Sequence, residues 1–150
     1  MPNVMCRVGA GMIVWIATSS VPEQHKQFLR ASFDRLGAAI EVADEKYVDM
    51  ATAVSGSGPA FAFLVLEALT DAAVHVGFPR DQATVLARQT VLGAAVLLRE
   101  TDQHPAVLKN SVTSPGGTTA AGLLVLEQRG VRAAIEEAVL AAYSKTQHLR

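Results

Sequence analysis

The chain has a single cysteine, Cys6, and few aromatic residues, 5% of the total. One cysteine allows no internal disulfide and no thiolate-based zinc site. Four histidines (His25, His75, His104 and His148) stand far apart, without HExxH or a comparable ligand spacing. No metal is therefore expected. Blocks of one charge are missing too: 13 basic residues against 14 acidic ones leave a net charge of −1. Nucleic acid and anionic membranes are accordingly not expected as partners. No unbroken apolar run reaches the roughly 18 residues that mark a membrane span. The N-terminus shows no charged leader ahead of an apolar run and a cleavage site. These absences predict a soluble protein of a reducing compartment, cytoplasmic, with no membrane, metal or nucleic-acid partner.

What is present is hydrophobicity built from small side chains. The 150 residues are 50% hydrophobic, with Ala, Val, Leu and Gly prominent. A domain of this length buries about 68–70% of its unfolded surface. Small residues let helices approach closely. Their number suggests more apolar surface than a monomer hides, and so an oligomer interface.

Val8 to Ala17 is apolar and partly β-branched, and predicts one buried strand, or two short ones meeting at the glycines. Gly9-Ala10-Gly11 is no dinucleotide fingerprint, because Val14 stands where a third Gly or Ala is needed and the glycines precede the strand. Ser20-Val21-Pro22-Glu23 fits a capping box with Pro in the first turn, opening a helix over 21–36 that stops at Gly37. Ala39 to Val42 is a short strand candidate. Residues 1–43 thus read β–α–β.

From Asp44 onward the period is helical. Asp44 and Glu45 suit the start of a helix running to Val54. Ser55-Gly56-Ser57-Gly58-Pro59 predicts a flexible break and a new helix. Ala60 to Val76 is then apolar around most of its girth, with Glu67, Asp71 and His75 on one stripe. Such a helix must be surrounded, by its own core or by another subunit. Helices over 80–100, from Pro105 to about Lys109, from the end of the Ser114–Thr119 loop to Gln128, and from about Val131 to His148 complete the chain.

The richest stretch is Ser114-Pro115-Gly116-Gly117-Thr118-Thr119. Two glycines and hydroxyls ahead of an apolar helix leave its first N–H groups bare. Those groups and the helix dipole favour an anion such as a carboxylate, and the hydroxyls add orientable hydrogen bonds. An ordinary helix cap is the plainer reading of the same residues.

Several strings in order carry a resemblance. They are Thr52-Ala53-Val54-Ser55-Gly56-Ser57-Gly58-Pro59-Ala60-Phe61, Gln103-His104-Pro105, Leu108-Lys109 and Val112-Thr113-Ser114-Pro115-Gly116-Gly117-Thr118-Thr119. Together with Gln89 to Ala95, Leu126-Glu127 and Met1-Pro2-Asn3, they resemble pyrroline-5-carboxylate reductase from the first residue to the last. The resemblance implies a mostly α fold. A helical dimerisation and substrate-binding domain over 44–150 would follow a short β–α–β remnant of a Rossmann-type, dinucleotide-binding domain over 1–43. It implies reduction of 1-pyrroline-5-carboxylate to L-proline by NADPH or NADH, in a homodimer or larger ring.

The same resemblance assigns roles. Thr119 matches the residue whose hydroxyl meets the ring nitrogen, the nearest thing to a catalytic group. Ser114, Gly116, Gly117 and Thr118 complete the substrate loop, and Glu45 matches a carboxylate near the substrate nitrogen. Glu45 also reads as a first-turn acid that merely suits the helix dipole. Ser111 falls near the nicotinamide, where the family often has Asn or Asp, and Asn110 stands where an acid is usual. Phe61 replaces a frequent Tyr, and Val4-Met5 a usual Thr-Pro. The Gly-rich pyrophosphate loop of the family has no counterpart in residues 1–43, so no tight cofactor binding and no activity are expected of this chain alone. The alternative is a non-catalytic assembly module, or a fragment of a longer reductase.

Overall fold

The computed structural model describes residues 1–148. The fold is mostly α. Strands β1 (Gly11–Trp15) and β2 (Gly37–Glu41) flank helix α1 (Glu23–Phe33). Helices α2 (Lys46–Ala51), α3 (Gly58–His75), α4 (Arg80–Thr101), α5 (Pro105–Ser111), α6 (Thr118–Gln128) and α7 (Val131–Gln147) come after them. The chain divides into two compact units, Met1–Phe61 with the segment from Ile135 onward, and Ala62–Ala134.

In the first unit β1 and β2 pair in parallel, from Gly11 opposite Gly37 to Trp15 opposite Glu41. Gly37 has φ +140°, and a side chain there would overlap the backbone of Gly11. The expected strand from Val8 starts later, because Val4–Val8 forms a 3₁₀ turn closed by Gly9 at φ +69°. Asn3 dictates that turn: its Oδ1 accepts from the amides of Met5 (3.2 Å) and Met12 (3.1 Å). Ile13, Val14 and Trp15 are buried, and Trp15 meets Phe33 edge-on at 5.7 Å.

The capping box at Ser20 does not form. Ser20 Oγ bonds Thr18 Oγ1 (2.8 Å) instead, and Pro22, with extended ψ, stands at the N-cap outside the helix. Its ψ of 145° keeps Pro22 out of the helix, so α1 opens at Glu23. It ends at Phe33, three residues before the expected boundary, and Gly37 opens the next strand.

Arg30 fastens α1 to β2. It pairs with Glu41 and with Glu23 (2.7 Å), lies over the Trp15 ring, and is joined by Lys26, 3.3 Å from Glu41. The hydrogen bond from Arg30 first, then Lys26, holds the Glu41 carboxyl below the usual carboxylate range. Its folded value lies below its unfolded one, so its contribution is full above the unfolded value and vanishes as pH falls through the folded one. Glu41→Gln should therefore lower the Tm slightly at neutral pH, flatten the acid side of a Tm–pH curve and converge with the parent at low pH. An identical acid limb in both proteins would remove Glu41 from that role.

The serine-rich segment expected as a flexible break is helical. Thr52–Gly56 forms a π-helical turn, with Ser57 N donating to Thr52 O at 2.9 Å, five residues back. The hydroxyls that suggested a loop bond backward along the helix, Ser55 Oγ to Ala51 O (2.9 Å) and Ser57 Oγ to Thr52 O (3.3 Å). Helix therefore continues from Lys46 to His75. These 30 residues are long and apolar enough, by length and composition, to cross a membrane. Counting only unbroken apolar runs misses this, because Glu67 and Asp71 interrupt the run without much lowering its mean. Such a helix equally suits burial between subunits.

In the second unit Gly77 (φ +112°) ends the turn after α3, and Arg80 pairs back to Asp71. Ala83 and Ala87 of α4 are the buried residues there. Phe63, Leu64, Val65 and Leu69 of α3 stay exposed, and no residue of α3 is buried. An apolar groove of about 580 Å³ lies between α4 and α5, lined by Gly93, Ala94, Leu97, Pro105, Leu108 and Val112.

Candidate functional site

The second unit holds the Ser114–Thr119 loop, and its approach is fixed by local bonds. His104 caps α5, its Nδ1 accepting from Ala106 N at 3.2 Å, and Pro105 fills the first helical position, where a missing N–H costs nothing. Thr113 Oγ1 donates to Lys109 O (2.6 Å) and Thr113 N to Asn110 O (3.0 Å), closing the end of α5. The chain then reverses. Gly117 N donates to Ser114 O at 3.1 Å, with Pro115 and Gly116 between them and Gly116 at φ +68°. That is the chemistry of a type II turn, Pro at its second position and Gly at its third.

Gly117 is the N-cap of α6, in extended geometry, and has no side chain to cap with. The first internal bond of α6 runs from Ala121 N to Gly117 O (3.1 Å). The amides of Thr118, Thr119 and Ala120 thus have no acceptor among the described residues. The hydroxyls of Ser114, Thr118 and Thr119 have no partner there either. Ser114, Thr118 and Thr119 are exposed, and Gly117 is half-buried. Ser114 Oγ occupies the space a Cβ on Gly117 would need, and Ser114 O would lie 3.2 Å from that Cβ. A glycine is required there by close approach, since its backbone geometry suits any residue.

Chemically, three unpartnered N–H donors at a helix start and three free hydroxyls are the kind of donor set that suits a small anion. The structure brings together Ser114, Gly116, Gly117, Thr118 and Thr119. Ser111, seven residues before Thr118, spends its hydroxyl on Leu108 O (2.8 Å) and is exposed at the end of α5. Glu45 belongs to the first unit. It stands exposed at the N-cap of α2 without a side-chain cap bond, and Asp44 Oδ1 accepts from Lys46 N (2.9 Å) in its place.

Two further residues of the second unit have interactions or geometry that the sequence does not announce. Glu127 of α6 takes three hydrogen bonds of 2.7–3.0 Å from Arg132, which fasten the α6–α7 turn. Those bonds, helped by Lys109, hold its carboxyl below the usual range. The five-residue spacing across Gly130 was the available signal. Asp102 has φ +49°, the only non-glycine with positive φ among the described residues, just before Gln103-His104-Pro105. Such a conformation is uncommon outside glycine and has no sequence signal beyond the tolerance of Asp for it.

Known proteins resemble this chain in sequence and in fold. A family model described as pyrroline-5-carboxylate reductase dimerisation matches residues 45–149. A pyrroline-5-carboxylate reductase of Synechocystis is 50% identical over 149 residues, covering 99% of this chain and 55% of the relative. One from Arabidopsis thaliana is 44% identical, covering 99% of this chain and 54% of its own. The chain thus spans about half the length of the curated relatives it matches. Among solved structures, a pyrroline-5-carboxylate reductase of Coxiella burnetii superposes with a TM-score of 0.95 at 38% identity, over 99% of this chain and 55% of that one. The pyrroline carboxylate reductase of Plasmodium falciparum, determined with NADP bound, gives 0.90 at 36%, over 99% and 60%.

Proposed function

Because this chain belongs to the pyrroline-5-carboxylate reductase family, we propose that residues 1–150 form the substrate-holding and subunit-pairing part of a reductase that converts 1-pyrroline-5-carboxylate to L-proline. The observation that carries this reading is the set of three unpartnered amides, Thr118 to Ala120, at an exposed helix start. The substrate is a small cyclic imine bearing one carboxylate. The amides grip the carboxylate, with the Ser114 hydroxyl as a fourth donor. The Thr119 hydroxyl then faces the ring nitrogen and orients the C=N bond. A protonated imine carbon is already electrophilic, so placement rather than strong acid–base catalysis does most of the work. Glu45, if it meets the substrate nitrogen in the complete enzyme, favours the protonated form.

In the complete enzyme the hydride comes from NADPH or NADH. Residues 1–148 do not fit the pyrophosphate of such a dinucleotide. The β1–α1 connection, residues 16–22, has no glycine, and α1 begins behind Pro22. Gly11 opens β1 rather than a helix, and Cys6 Sγ fills the space beside it. Ser111 is the one residue of this chain assigned to the nicotinamide side.

The pairing surface is the exposed apolar face of α3 with the groove between α4 and α5. Phe63, Leu64 and Val65 stand exposed on that face of α3. A second copy of this chain is the proposed cover, and the cytoplasm the proposed compartment.

For residues 1–150 in isolation we expect no NADPH oxidation with 1-pyrroline-5-carboxylate above background. Titration with L-proline should nevertheless shift the amide resonances of Thr118, Thr119 and Ala120 in an NMR spectrum. Turnover by the isolated chain would refute the first expectation, and immobile loop resonances at saturating proline the second.

A further inference from the structure

Beyond the π-helical turn Thr52–Gly56, Pro59 leaves the Ser55 carbonyl without its helical donor, and Ala60 N is committed to Ser57 O at 3.0 Å. In a helix the Ser55 carbonyl would accept from the residue four positions on, which is Pro59, and proline has no N–H. A carbonyl in a partly buried place needs a partner. It has one: Asn3 Nδ2 donates to Ser55 O at 3.0 Å, from 52 residues away in sequence. The other end of the same amide is committed as well, because Oδ1 accepts from Met5 N and Met12 N. Turning the amide over would set its NH₂ against two donors, so the orientation is fixed by its partners.

We infer that Asn3 is a latch: its side-chain N–H replaces the one Pro59 lacks and so holds the π turn against β1. Met1 reinforces the contact, its Cε standing 2.7 Å from where a Cβ on Gly56 would be. Ala53, the most deeply buried residue of the turn at 1% exposure, is held inside by the same geometry. The π turn inserts one residue relative to an α-helix, which rotates the helix beyond it by about 100°. Asn3 thereby sets the rotational phase between α2 and the start of α3. The device uses the Ser55–Pro59 segment, which the substrate loop and the apolar face leave unexplained.

The test separates the two ends of the Asn3 amide in the full-length chain. Asn3→Asp keeps an acceptor for Met5 and Met12 but loses the donor to Ser55. It should accelerate hydrogen exchange at Gly56 and Ser57 by about tenfold or more, with Met12 changed less than about twofold. Pro59→Ala supplies the missing helical N–H, so Asn3→Asp/Pro59→Ala should return Gly56 and Ser57 to within about threefold of the parent. A role confined to the 3₁₀ turn would give no such rescue. Unchanged exchange in Asn3→Asp, or a double variant as fast as the single, overturns the latch. Where Asn3→Asp alone does not fold, folding of the double variant upholds it and failure of the double overturns it.

Discussion

Replacing Gly117 with alanine in the complete enzyme should raise KM for 1-pyrroline-5-carboxylate by about 10- to 100-fold, the loss of one or two hydrogen bonds to a charged group. The backbone at Gly117 has φ −77° and ψ 170°, which alanine adopts freely, so the substitution adds no conformational strain. Its whole effect is local. The new methyl takes the space of Ser114 Oγ and comes 3.2 Å from Ser114 O. Ser114 must swing away, and the hydroxyl leaves the mouth of the amide cluster. The turn bond from Gly117 N to Ser114 O loosens with it. Because the loop is exposed and contributes nothing to the core, the Tm should stay within a few degrees. Kinetics and thermal unfolding on one preparation check both halves. An unchanged KM would detach the diglycine bend from the substrate.

The second large effect concerns α3. Leu64→Glu should convert the assembled protein into monomer, weakening self-association about 1,000-fold or more, since a carboxylate buried without a partner costs several kcal/mol. Seen in the single chain the substitution is harmless. Leu64 is 64% exposed, and surface changes of this kind fall within about 0.5 kcal/mol. The two views therefore give opposite outcomes. Light scattering at micromolar concentration distinguishes them. A Leu64→Glu protein with the parental mass would move the pairing surface elsewhere.

Much of this architecture was legible in the sequence, because α4 to α7 are long or sharply bounded. Gly77-Phe78-Pro79, His104-Pro105 and Gly130 punctuate the chain by rules that need no tertiary contact. The diglycine loop was legible for the same reason: Pro115 and Gly116 define the turn, and Gly117 leaves the amides uncapped. The failures share a cause. Val8 looked like strand because its apolar character is local, whereas Asn3 folds that segment through bonds to Met5 and Met12. Ser55 to Pro59 looked like a break because Ser and Gly favour loops. In fact the hydroxyls bond backward, and a side chain 52 residues away meets the one stranded carbonyl. Ser20 read as a cap on spacing alone, and a neighbouring hydroxyl claimed it. The roles of Thr119 and Glu45 came from family likeness; free N–H groups state an affinity for anions but not which anion.

Six apolar side chains make up the buried interior of the described residues, and three of them are alanines. So thin an interior gives a solitary copy little reason to hold its shape. On the proposed pairing, collapse and encounter should become one event, with the kinetics of a bimolecular reaction. Dilution would undo the protein as surely as heat, and newly made copies would mature only as fast as they find one another.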